Sequence, residues 1–204
     1  MKIFGIVISA GEGRRMEGRI KQLLPWKNST ILGTIIETLK DSELDKIYII
    51  LGYEKEIIYN SIKDLLTDKF EVIINENYKK GMVTSIQEAL KKAHTGFDGF
   101  IVFLGDQPFL NKETVNTLIN EAKKGEYPII VSCYKGERGH PTYISMKFKE
   151  KILLLDPEKE GLRDIIYDAR NKNLVLDLET GDPDTIKDID TYEMYLKEKE
   201  EHNA

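Results

Sequence analysis

Ile3-Phe4-Gly5-Ile6-Val7-Ile8 runs without a break into Ser9-Ala10-Gly11-Glu12-Gly13-Arg14-Arg15-Met16, and Lys21 follows. The apolar run predicts a strand over 3–9, buried on both faces. It ends in a turn loosened by glycines, where backbone amides can face an anion at close range. Arg14, Arg15 and Lys21 add fixed positive charge that suits a polyphosphate better than a lone carboxylate. A Walker loop would end in Gly-Lys-Ser/Thr, which is absent here. The dinucleotide fingerprint is met at Gly11 and Gly13 but fails at Met16, where a third glycine should let helix and strand pack closely. The next predicted strand ends in Gly52-Tyr53 rather than in an acid that could hold a ribose hydroxyl. A tight surface turn would explain the glycines alone; the three cations favour a ligand.

Outward from this stretch, strand-like and helix-like segments alternate. Compact runs of Ile, Val, Phe and Tyr predict further strands over 46–52, 70–75, 97–104 and 128–134. Between them Ile31, Leu32, Ile35, Ile36 and Leu39 share a helical face. Ile57, Ile58, Ile62, Leu65 and Leu66 form a second such face, and Met82, Ile86, Ala89, Leu90 and Ala93 a third. Such alternation implies a mainly parallel sheet with helices on both sides, whose ligands bind beyond the carboxyl ends of the strands. Residues 10–21, 52–53, 75–85 and 105–108 fall there. Past residue 135 the pattern loosens: 136–141 reads as a loop, 147–155 and 161–170 as helices and 173–179 as a late strand. A charged helix runs from Tyr192 and is expected to fray after Lys199. Without a linker, repeat or low-complexity tract, 1–204 reads as one domain.

The charge balance, 30 basic against 35 acidic residues for a net −5, argues against a broad nucleic-acid surface, so the local cations serve a local ligand. Cys133 is the one cysteine, which excludes an internal disulfide and fits a reducing cytoplasm. It is expected to be a buried strand thiol. Lys2 and the apolar octet after it faintly imitate a signal peptide, but a strand explains them better. No segment approaches the ~20 apolar residues of a membrane span.

Asp106 follows strand 97–104 in Leu104-Gly105-Asp106-Gln107-Pro108. An acid fixed at the sheet edge opposite a polyphosphate is suited to Mg²⁺, which takes carboxylate and phosphate oxygens together. It could instead cap the following helix, although Asn111 fills that role more naturally. In Ile186-Lys187-Asp188-Ile189-Asp190-Thr191 the alternating acids can form a short strand edge with both carboxylates on one face, or start a helix at Asp190-Thr191. In Asn77-Tyr78-Lys79-Lys80-Gly81-Met82-Val83-Thr84-Ser85, Gly81 lets the backbone approach a flat ligand and Thr84-Ser85 offer donors at a helix start. Gly139-His140-Pro141 carries a lone loop histidine.

Ala-Gly-x-x-x-Arg-Met with a following lysine, then Gly-Asp-x-Pro after a hydrophobic strand, resembles the MobA-like nucleotidyltransferases of glycosyltransferase-A type. Leu24-Pro25-Trp26, Thr30-Ile31-Leu32, Gly52-Tyr53, Gly81-Met82-x-Thr84-Ser85, Gly139-His140-Pro141 and Asp188-Ile189-Asp190-Thr191 narrow the resemblance to the molybdenum cofactor cytidylyltransferases, in order over nearly the whole chain. The resemblance implies a Rossmann-like three-layer α/β/α sandwich with a mostly parallel mixed sheet. It further implies transfer of CMP from CTP to the terminal phosphate of the molybdopterin cofactor, with release of pyrophosphate. Ser9, Ala10, Gly11, Gly13, Arg14, Arg15 and Lys21 would surround the nucleotide, with Gly81, Thr84 and Ser85 near the base. Arg15, Lys21 and Asp106 would carry catalysis, and Asp106 with Asp190 or Asp188 would hold Mg²⁺. Gly139, His140 and Pro141 would face the acceptor, and an apo molybdenum hydroxylase would take the product. Guanylyl-specific relatives carry Gly-Gly where this chain has Ala10-Gly11, which favours CTP. The chain departs from the pattern at Ser9 (usually alanine), at Gly13 (usually serine) and by an extra residue at Glu17. The acceptor phosphate is already ionised at neutral pH, so in-line attack needs neither a protein nucleophile nor a general base. Three other functions stay open: transfer to another phosphorylated acceptor such as a sugar phosphate, a dinucleotide-dependent oxidoreductase, and a non-catalytic cofactor carrier.

Overall fold

Alternation along the first strand, β1 (Ile3–Ser9), divides its side chains between two cores: Ile3 and Val7 enter one, Phe4 and Ile6 the other. The computed structural model describes residues 1–203. After β1 comes a small hairpin of β2 (Pro25–Trp26) and β3 (Ser29–Thr30), then α1 (Ile31–Lys40), β4 (Lys46–Leu51), α2 (Lys55–Ile62), β5 (Phe70–Ile74), α3 (Val83–Lys92), β6 (Gly99–Leu104) and α4 (Lys112–Lys123). The later half adds β7 (Ile129–Tyr134), β8 (Glu137–Ser145), α5 (Lys149–Leu153), α6 (Leu162–Arg170), β9 (Val175–Glu179) and α7 (Tyr192–Asn203). The main sheet runs β5-β4-β1-β6-β8-β7-β9. Every pairing is parallel except the two made by β8, which runs against β6 and β7. Residues of α1, α2, α4 and α7 fill one core and those of α3, α5 and α6 the other. The expected three-layer α/β/α sandwich with a mostly parallel mixed sheet is therefore the observed one.

The chain leaves β1 for β4 on one side and later returns to β6 on the other. That switch point opens a crevice at the carboxyl ends of β1 and β6, where open α/β sheets place ligands. The helices around it carry their own caps: Thr30 accepts from Gly33, Asn111 from Thr114, and Thr191 from Met194. Asn111 and Thr191 thus relieve Asp106 and Asp190 of the capping role.

Two stretches differ from expectation. Residues 136–141 are not a loop: 137–141 belong to β8, and Gly-His-Pro masked the strand because glycine and proline normally break one. Pro141 is tolerated because the β7–β8 ladder shifts register between Val131 and Cys133, leaving His140 and Pro141 outside it. Residues 187–190 form no strand edge either. They follow a 3₁₀ turn, Pro183–Ile186, and are tied to the loop after β6 by the bond from Ile189 N–H to the Asp106 carbonyl at 3.0 Å. Cys133 is the buried strand thiol expected, and burial raises its pKa away from the reactive range. No helix among the described residues is long and apolar enough to cross a membrane.

Candidate functional site

The turn after β1 has nowhere to go but across the crevice. Gln22 donates to the Ser9 carbonyl from below (3.1 Å), Tyr53 N–H bonds the Ala10 carbonyl (3.0 Å), and Met16 is wholly buried, pinning the loop's far end in the core. The result is a cleft of about 440 Å³ lined by Ser9, Ala10, Gly11, Gly13, Arg14, Arg15 and Lys21 on one side and by Leu104, Gly105, Asp106 and Asp190 on the other. Ser85, Tyr78 and Met82 close it.

The two halves of the sequence signal meet here. Lys21, only 8% exposed, places its ammonium 2.9 Å from Asp106 Oδ2 and 3.7 Å from Asp190 Oδ1. Arg15 reaches Asp190 Oδ2 at 2.9 Å, while Arg14 turns outward to Glu12 at 2.8 Å and holds that carboxyl below the usual range. Asp106 Oδ1 is buried without a hydrogen-bond partner, as is Ser9 Oγ. Asp188 does not line the cleft but stands behind it; burial, then Asp190 and Asp106, raise its pKa. A raised carboxyl pKa means that the folded state keeps a proton the unfolded chain has already released. Stability therefore falls as pH rises from the ordinary value of 3.8 through the folded one. Asp188→Asn is expected to raise the Tm of the unliganded protein at neutral pH by on the order of a degree or two, and the gain should vanish below about pH 4. Melting curves across that range check it.

Among the remaining expected residues, Gly81 takes φ +124°, a conformation closed to other side chains, and an added Cβ would stand 2.8 Å from the Pro157 carbonyl. Thr84 is buried and turned away from the cleft, donating to the Gly81 carbonyl. Gly139 and His140 lie outside the cleft, in an adjoining groove of about 890 Å³ that shares Met82 with it. Gly139 is required by packing, since a Cβ would fall 2.0 Å from the Thr185 carbonyl. Pro141 is buried and does not line the groove. Burial lowers the His140 pKa, so the imidazole is neutral at pH 7, and its Nδ1 is buried without a partner.

Sequence reasoning missed the groove's other wall. Arg138 and Arg170 both grip Asp177, whose pKa falls to about 2, and they line the groove with Arg163 and the 70% exposed Tyr167. Nothing in the helical pattern of 161–170 distinguished these residues from an ordinary solvated face.

A mostly parallel mixed sheet with helices on both faces and a cleft at its switch point is the Rossmann-like fold of nucleotidyltransferases. The chain belongs to the MobA-like NTP transferase domain family, whose model matches residues 5–173. It is 26% identical over 184 residues to the molybdenum cofactor cytidylyltransferase of Escherichia coli (strain K12), covering 87% of this chain and 91% of that one. It is equally 26% identical over 201 residues to the nicotine blue oxidoreductase of Paenarthrobacter nicotinovorans, covering 96% and 95%. The crystal structure of Rv0371c from Mycobacterium tuberculosis H37Rv superposes with a TM-score of 0.85 at 26% identity, covering 98% and 97%. A second structure of Rv0371c, in complex with manganese, gives 0.77 at 23%, covering 98% of each chain.

Proposed function

We propose that this single-domain protein transfers CMP from CTP to the terminal phosphate of the molybdopterin cofactor in the cytoplasm, and that an apo molybdenum hydroxylase receives the product. The observation that carries the reading is the 2.9 Å contact between Lys21 and Asp106, which joins the basic turn and the strand-end acid in one cleft. A nucleoside triphosphate brings roughly four negative charges. Arg15 and Lys21 meet it, but Asp106 and Asp190 offset them, so a divalent cation is needed for net attraction. The residues fit Mg²⁺: Asp106 Oδ1 is orphaned and buried, Asp190 is tethered beside it, and Mg²⁺ is commonly held by one or two carboxylates with phosphates and water completing its shell. Rv0371c, whose structure contains manganese, supports divalent-metal use. Mg²⁺ held by Asp106 and Asp190 would neutralise charge on the triphosphate.

The chain's own residues position the reactants. Lys21, Arg15 and the amides of the turn hold the phosphates. An acceptor phosphate oxygen forms the new bond to the α-phosphorus as the bond to the bridging α–β oxygen breaks, and pyrophosphate leaves with the electron pair. The adjoining groove suits a flat anionic acceptor: Tyr167 offers an exposed ring, Arg138, Arg163 and Arg170 offer charge, and neutral His140 offers a hydrogen-bonding nitrogen. His140→Ala is expected to raise KM for the acceptor about tenfold and leave CTP affinity unchanged. An unchanged acceptor KM would remove the acceptor from the groove. The direct test of the reaction is a screen of CTP, GTP, ATP and UTP with Mg²⁺ and molybdopterin, scored by pyrophosphate release, with a sugar phosphate as the rival acceptor. CTP binding without turnover would favour a carrier.

The nicotine blue oxidoreductase relative keeps a second reading in view. Against it, the Gly11–Gly13 turn does not open a helix: the chain enters a 3₁₀ turn at Lys21–Leu23 and reaches α1 only at Ile31, so the turn is not followed by the helix N-terminus that a dinucleotide fingerprint places on the pyrophosphate. Calorimetry with NAD(P) separates the two, since binding there and none with CTP would reverse the assignment.

A further inference from the structure

Asn75, the residue after β5, is wholly buried against the start of α3. Its Oδ1 accepts the Asn77 backbone N–H at 2.9 Å. A backbone amide can only donate, so this bond fixes which end of the Asn75 side chain is oxygen. Nδ2 must then face α3, where it donates to Thr84 Oγ1 at 2.8 Å and to Ser85 Oγ at 3.0 Å. Each hydroxyl retains one hydrogen of its own. Thr84 gives its hydrogen to the Gly81 carbonyl at 2.7 Å. Ser85 is 2% exposed, lines the cleft and finds no acceptor for its hydrogen among the described residues. Ser9, whose Oγ is buried in the cleft without a partner, receives no such bond and is free to donate or accept.

We infer that Asn75 is a positioning residue: by donating to Ser85 it occupies one lone pair of that hydroxyl and holds it where its hydrogen, with no protein acceptor, is satisfied only from the cleft, so the nucleotide is taken there through an acceptor atom, a carbonyl oxygen or unprotonated ring nitrogen of its base. The inference rests on the nucleotide reading above and deepens it. Cytosine presents two neighbouring acceptors on its pairing edge. A base that offered an N–H at this point could meet only the hydroxyl's second lone pair and would leave the Ser85 hydrogen buried without an acceptor, the kind of unmatched polar group by which pockets discriminate strongly.

The test is a double-mutant cycle read as the Kd of CTP with Mg²⁺ by calorimetry on the full chain, with melting temperatures in parallel. Ser85→Ala removes the donor and should weaken CTP about tenfold. Asn75→Leu, which keeps the branched outline without the amide, frees the hydroxyl to turn away and should cost a similar factor. The double variant should be no weaker than the weaker single one, because both changes remove the same interaction. Multiplied losses would make Asn75 merely structural and overturn the proposal. Ser85→Ala binding CTP as well as the parent would overturn it too, and that arm stands even if Asn75→Leu fails to fold. If the parent chain binds none of the four nucleoside triphosphates, the nucleotide reading itself falls, an outcome visible before any variant is made.

Discussion

Asp106→Asn is expected to reduce pyrophosphate release by at least about a thousandfold while the protein remains folded. The substitution keeps shape and keeps an oxygen for the Lys21 ammonium, 2.9 Å away. It leaves untouched the backbone bond from Ile189 to the Asp106 carbonyl, so Asp190 stays where it is. What is lost is one formal charge and the ligand capacity of the orphaned Oδ1. In a cleft where attraction for a triphosphate depends on a divalent ion, that loss falls on the metal–nucleotide complex rather than on nucleotide contacts with the turn. Metal titration in the presence of CTP should therefore show weakened Mg²⁺ binding alongside the lost turnover. Turnover within about tenfold of the parent would mean that Asp106 holds no metal.

The reach of sequence reasoning follows from what each feature depends on. The strands β1, β4 and β6 were legible because each is a short apolar run buried on both faces, and β5, at the sheet edge, because its run is equally apolar though only half buried. Asp106 was legible because it follows such a strand by two residues. The placement of Asp190 beside it was not, because it depends on one hydrogen bond between residues more than eighty apart in the chain. Composition around Ile189 carries no trace of that bond, and the alternating acids suggested a strand edge that does not form. β8 was hidden for a different reason. A register shift lets Gly139, His140 and Pro141 lie inside a strand, and such a shift belongs to the pair of strands rather than to either sequence. The arginines of the adjoining groove look like surface charge until Asp177 on β9 gathers two of them. Asn75 was overlooked because its role lies in the direction of three hydrogen bonds.

Replacing Lys21 by methionine sets three measurements in different directions, which is why it discriminates so well. The side chain is 8% exposed and its stem packs tightly, so methionine preserves most of the volume while deleting the charge. Without ligand, Asp106 and Asp190 lose their shared ammonium, and Asp188, already short of favourable partners, loses a countercharge that lowers its pKa. Asp188 then keeps its proton further above the pH at which the unfolded chain releases it, so stability should drop at neutral pH and recover on acidification. A divalent ion added alone no longer competes with the ammonium and should bind more tightly than to the parent. Turnover should nevertheless fall by about a hundred- to a thousandfold, because the triphosphate has lost a fixed cation that no added metal replaces. Pyrophosphate assays, metal titration and melting curves across pH read the three effects. Tighter metal binding with undiminished turnover would reduce Lys21 to a countercharge for the acids and would withdraw it from the phosphate site.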